Sequence, residues 1–145
     1  MRVKFDEQLK ELHVELIKMA SLCEEAISLS AKALEGGPEA EALARKVSPL
    51  EYEIDQKERE IEGRCMRLLL QQQPVARDLR TISSALKMIT DMERIGDNAA
   101  DIADVTIHLA RTGYKEGLCH IQKMATETTY MVVKSIEAYV EKDKK

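Results

Sequence analysis

The chain has 145 residues and a net charge of −4, with 33% charged residues, 3% aromatics, six Gly and three Pro. That length carries one domain with a real core, and the mixture suits amphipathic helices and suits a sheet poorly. The acidic balance argues against a nucleic-acid binder, which needs a basic stripe, and no apolar run approaches the roughly 20 residues of a membrane span.

In chain order, the first apolar series runs Phe5, Leu9, Leu12, Leu16, Met19, Cys23, Ile27, Ser30, Leu34. Its steps of four and three make a heptad seam on one long helix, which Gly36, Gly37 and Pro38 stop. A second seam runs Leu43, Val47, Leu50, Ile54, Ile61, Cys65, Leu68 and fades through Gln71, Gln72 and Gln73. Pro74 then marks a break and a new helix start. A third seam is read through Val75, Leu79, Ile82, Leu86, Ile89, Glu93, Gly96, Ala100, Ala103 and Ile107, ending near Gly113. The fourth segment, from about Lys115, spreads its apolar residues over a wide face: Leu118, Ile121, Met131, Val132, Ile136 and Tyr139. The predicted fold is therefore all-α. An elongated antiparallel three-helix bundle spans residues 1–112, and a fourth helix follows over 113–145. The wide face of that helix can fold back to make a four-helix bundle or pair with a second copy, and the second is preferred, giving a symmetric homodimer.

Two acidic pairs stand out: Glu51 with Asp55, and Glu93 with Asp97. Residues four apart share a helix face, so each pair sets two carboxylates one turn apart. Such carboxylates repel unless a cation lies between them, and oxygen ligands suit a hard multivalent cation. On the seam drawn above, Glu93 falls in a core slot, where an acid is expensive without a partner. The turn centres near Gln73, about 18 residues after Asp55 and about 20 before Glu93. At a rise of about 1.5 Å per residue, the two acids reach similar heights on antiparallel helices. The competing reading is a solvated acidic face, or an Arg94 pair with Asp97. It is preferred for Glu58, Glu62 and Asp104 further along the same rows.

Other residues read more plainly. His13 and His108 are expected on the surface. Cys23 and Cys65 are small core residues, and Met66, Met88 and Met92 are core filling. The three cysteines, Cys119 included, form no zinc spacing, which fits a reducing cytoplasm. No phosphate loop, nucleophile triad or zincin motif occurs in the sequence.

The run Gln73-Pro-Val-Ala-Arg-Asp-Leu-Arg80, followed by Asp91-Met-Glu-Arg-Ile-Gly-Asp97, resembles the PhoU family of phosphate-uptake regulators. The opening Phe5-Asp-Glu-Gln-Leu9 is similar to that family's start. The resemblance covers the family's N-terminal half plus one further helix. It implies two tandem three-helix bundles in a full member, so 113–145 would begin a truncated second repeat. It also implies Glu/Asp-x-x-x-Asp metal ligands, in some members holding multinuclear iron. On matching positions these are Glu51, Asp55, Glu93 and Asp97. Asp101 is a further candidate, at a slot next to one that is often polar or acidic in relatives. The implied role is a cytoplasmic, non-enzymatic negative regulator of the phosphate regulon. It would link the ATPase of a phosphate ABC transporter to a sensor histidine kinase, as a homodimer peripheral to membrane complexes but not inserted.

Three functions compete on these grounds. The first is that metal-binding adaptor, with Mg, Mn or Fe on the carboxylates. The second is a structural helical oligomerisation protein with solvated acids. The third is a di-iron carboxylate enzyme, which normally carries Glu-x-x-His on two helices. The sequence contains no Glu-x-x-His.

Overall fold

A buried stripe runs the length of the first helix, α1 (Arg2–Leu34). Phe5, Leu12, Leu16, Met19, Cys23 and Ile27 lie on it, as the steps of four and three dictate. The computed structural model describes residues 2–71, 74–112 and 119–142. The turn centre near Gln73, the stop at Gly113 and the apolar Leu118 lie outside the described residues. α1 ends two residues before Gly36 and Gly37, whose φ angles of 88° and 92° favour a residue without a Cβ.

Helices α2 (Ala40–Arg45), α3 (Val47–Gln71) and α4 (Ala76–Thr112) complete the three-helix bundle, and α5 (Cys119–Lys142) follows. The second seam was expected to be one unbroken helix, but it divides at Lys46. Pro49 has no N–H to bond the Arg45 carbonyl, so the ladder is interrupted there. Val47, Leu50, Ile54, Ile61, Cys65 and Leu68 are nevertheless all buried.

The third seam needs a larger correction. α4 buries Asp78, Ile82, Ala85, Ile89, Met92, Gly96, Ala99, Ala103 and Thr106. Alternate slots thus lie one residue earlier than the sequence reading placed them. Met92, not Glu93, fills the core slot, and Glu93 sits half-buried beside it. Val75 and Leu79, taken as the start of the seam, are 63% and 44% exposed.

α5 folds back antiparallel into the groove between α1 and α4, rather than leaving its apolar face for a second chain. Ile136 is buried, and Val132, Tyr139 and Val140 pack against the core. The Tyr139 hydroxyl donates to the Thr81 carbonyl at 2.7 Å. Its ring meets that of His13 edge-on at 5.4 Å, so His13 is half-buried rather than on the surface. The reason lies in the first three helices, whose seams do not close a core alone. Ile27, Met92 and Ile95 face the groove that α5 fills. Coverage is incomplete. A pocket of about 210 Å³ remains among Ile27, Leu34, Ile95, Ile102, Ile121 and Met124, and Met124, Tyr130 and Met131 are at least 60% exposed.

Two buried acids, Asp78 and Glu15, anchor ion pairs inside the bundle. Arg2 donates to the buried Asp78 at 2.7 Å and joins the starts of α1 and α4. Lys57 of α3 and Lys18 of α1 both donate to Glu15, which is only 7% exposed. The Lys57 ammonium holds the Glu15 carboxyl below its ordinary range, against the opposing effect of burial. Lys57→Ala leaves that carboxylate only the exposed Lys18 and is expected to cost about 2 kcal/mol at neutral pH. A depressed carboxylate contributes stability above its unfolded pKa and loses it as pH falls through the folded one. Urea unfolding at pH 7 and in acid checks this. The gap between variant and wild type should narrow as Glu15 protonates, and an equal gap at both pH values contradicts the assignment.

Candidate metal centre

The site is built where α3 and α4 come closest. A Cβ added to Gly96 would stand 3.1 Å from Ile54 Cδ1 and 3.3 Å from its Cγ2. The bare glycine lets the fully buried Ile54 sit close against the α4 backbone, and a Cβ there would push it back by a few tenths of an ångström. Asp55 and Asp97 each follow one residue after this contact, so the close approach delivers both to one crevice. Glu51 lies one turn before Asp55, and Glu93 one turn before Asp97.

Carboxylate oxygens of Glu51, Asp55 and Asp97 all lie within 4.8 Å of one another, and all three residues are half-buried. Glu93 joins them through Asp97. A shared hydrogen bond with Asp97, in which protonated Glu93 donates, raises the Glu93 pKa to about 7, with burial and the charges of Asp97, Glu58 and Asp55 adding to it. Burial also pushes Glu51 up, assisted by a hydrogen bond to Asp97 and by the charges of Asp97, Asp55 and Asp101. Oδ1 of Asp55 is buried with no hydrogen-bond partner among the described residues. Arg94 is exposed and, among the described residues, forms no ion pair with Asp97.

An orphaned buried acceptor beside carboxyls forced to hold protons is what a cation would relieve. The donor set, all carboxylate oxygen, fits Mg, Mn or Fe and does not favour copper or zinc. The fit to a hard cation is therefore good.

The structure thus brings together four of the five sequence candidates. Asp101 is exposed; its charge reaches Glu51 but it stands outside the tight group. Glu58 was read as solvated and is instead half-buried, with its pKa raised by burial and by Asp55, Glu62 and Asp97. The signal was present in the row Glu51, Asp55, Glu58, whose steps of four and three keep one face. Glu62, Asp104 and His108 are exposed.

The proton on Glu93 has a measurable consequence. A carboxyl whose folded pKa is raised favours the folded state below its unfolded pKa and loses that advantage as pH climbs through the folded value. Between about pH 5 and pH 8, the melting temperature of metal-free protein should fall on the order of 3 °C. Glu93→Gln should flatten that slope in a chelator-containing thermal melt. An unchanged slope would remove Glu93 from the cluster.

A helical bundle that carries a carboxylate cluster at a helix crossing defines the class. The PhoU domain profile matches residues 16–106. The chain is 37% identical over 140 residues to the phosphate-specific transport system accessory protein PhoU homolog of Clostridium acetobutylicum, covering 96% of this chain and 63% of the relative. For the homolog of Pseudomonas aeruginosa the identity is 31% over 141 residues, with 97% and 57% covered. The crystal structure of PhoU from Pseudomonas aeruginosa superimposes with a TM-score of 0.86 at 31% identity, over 94% of this chain and 65% of that one. The chain belongs to the PhoU family. It spans about three-fifths of the length of the curated relatives it matches.

Proposed function

We propose that this chain is a metal-binding accessory factor of a phosphate-specific transport system, acting as a negative regulator of phosphate uptake. Glu51, Asp55, Glu93 and Asp97 hold the cation, and Asp101 and Glu58 flank it. When bound, the ion neutralises the carboxylates and clamps α3 to α4, fixing the shape that partners read. The role is regulatory rather than enzymatic. The partners are the ATPase of a phosphate ABC transporter and a sensor histidine kinase, met at the cytoplasmic face, with the protein acting as a homodimer. No helix among the described residues is long and apolar enough to cross a membrane.

The observation that carries the metal reading is the meeting of Glu51, Asp55 and Asp97 within 4.8 Å. The transport reading rests on family membership and on the relatives' names. Elemental analysis of protein purified without a metal-affinity column tests the first. At least one Mn or Fe per chain is expected, directly or after titration and gel filtration. Protein that takes up neither ion would end the metal reading.

A further inference from the structure

The α3–α4 end of the bundle carries a local excess of cations, to which the start of α1, brought there by the Arg2–Asp78 and Arg64–Glu11 pairs, adds Arg2, Lys4 and Lys10 against Asp6, Glu7 and Glu11. From Gly63 to Thr90 there are five cations, Arg64, Arg67, Arg77, Arg80 and Lys87, and the one acid is Asp78. That acid is buried and held by Arg2. Arg67, Arg77 and Arg80 are exposed and form no ion pair among the described residues. The remainder of an acidic protein offers nothing comparable.

Large apolar side chains project at the same end. Leu70 is 76% exposed, Val75 63%, Met66 44% and Leu79 44%. Met66 and Leu70 are one turn apart on α3, as are Val75 and Leu79 on α4, so each pair shares a helix face. Val3, 70% exposed, lies next to the Arg2 that joins α1 to Asp78 at this end. None of these side chains is needed to close the core, so their apolar character is unexplained by folding.

We propose that this tip docks on an anionic lipid surface. Guanidinium groups pair with lipid phosphates, and the projecting Leu70 and Val75 enter the headgroup region. The exposed apolar residues, together with arginines that have no ion pair among the described residues, favour an anionic membrane over a protein groove. Among the described residues, Met66, Leu70, Val75 and Leu79 line none of the main pockets, so they offer no groove for a partner chain, and arginines flank them. The docking surface is separate from the carboxylate cluster, and its test does not depend on metal.

Cosedimentation of the whole 145-residue protein with vesicles tests it. Binding is expected to vesicles of phosphatidylglycerol mixed equally with phosphatidylcholine, and not to phosphatidylcholine alone. It should be released as salt rises from about 50 mM to about 500 mM. Each cation near an anionic surface is worth roughly fivefold, so the double variant Arg67→Gln, Arg80→Gln should bind roughly 25-fold more weakly. Leu70→Ser with Val75→Ser should lose roughly tenfold. All four sites are exposed, and circular dichroism confirms that each variant is folded. No binding to anionic vesicles, or full retention by both variants, overturns the proposal. Binding to poly-glutamate but not to vesicles, with the same arginine dependence, also overturns it and assigns the tip to an acidic polypeptide.

Discussion

Asp97→Asn is expected to weaken Mn²⁺ binding about a hundredfold and, in the same protein, to raise the melting temperature of the metal-free form. Asn keeps the size of Asp and one oxygen donor, so the substitution removes charge with little change of shape. Asp97 touches every strong interaction in the cluster. Its oxygen lies within 4.8 Å of those of Glu51 and Asp55, and it accepts the hydrogen bond from protonated Glu93. A charge lost about 4 Å from a cation, at partial burial, is worth roughly 2–3 kcal/mol after screening, which is about a hundredfold in affinity. Without metal the same charge is a liability, and removing it should stabilise the fold by about 1 kcal/mol. Calorimetric titration with Mn²⁺ and a thermal melt in chelator read the two effects separately. A solvated acidic face would give neither change. An Asp97 held for structure would give a lower melting temperature.

Gly96→Val is expected to destabilise the bundle by about 2–3 kcal/mol and to reduce metal affinity with it. Alanine would already place its Cβ 3.1 Å from Ile54 Cδ1. Against that contact, replacing a mid-helix Gly by Ala gains about 1 kcal/mol of helix propensity, so Gly96→Ala should come out near neutral. Valine adds two methyls and a restricted rotamer at the same point, with Ile54 fully buried and unable to retreat. The helices must separate, and Asp55 and Asp97 separate with them. Ile54→Ala alone should cost about 2–4 kcal/mol by opening a cavity. Combined with Gly96→Val the costs should be far from additive, because one change makes room for the other. Strict additivity in urea unfolding would show that Gly96 does not set the helix approach.

The helical architecture was legible in the residues because steps of four and three persist through α1 and α3, and because Gly36, Gly37 and Pro74 interrupt them. The register of α4 was not. Its buried slots hold Asp78, Ala85, Gly96, Ala99 and Thr106, which carry little apolar signal. Val75 and Leu79 carry a strong one and are exposed, so the pattern drew the seam through the wrong neighbour. The carboxylate pairs survived that error because Glu93 lies beside Met92, on the edge where α4 meets α3. Glu93 does not occupy a core slot, so a buried seam position is not what calls for a cation there. The hydrogen bond to Asp97 and partial burial raise its pKa instead. The Lys57–Glu15 and Arg2–Asp78 pairs were not visible in advance, since their partners lie 42 and 76 residues apart. The choice of a second copy over fold-back for α5 assumed a core closed by three helices. A groove that contains Ile27, Met92 and Ile95 cannot be seen from any single helix's period.

The placement of a cation between α3 and α4 is tested most directly by X-ray anomalous scattering from crystals grown with Mn²⁺. The expected result is an anomalous peak among the carboxylates of Glu51, Asp55, Glu93 and Asp97, at metal–oxygen distances of about 2.2 Å. A peak elsewhere, or well-ordered carboxylates with no peak at saturating Mn²⁺, would contradict it.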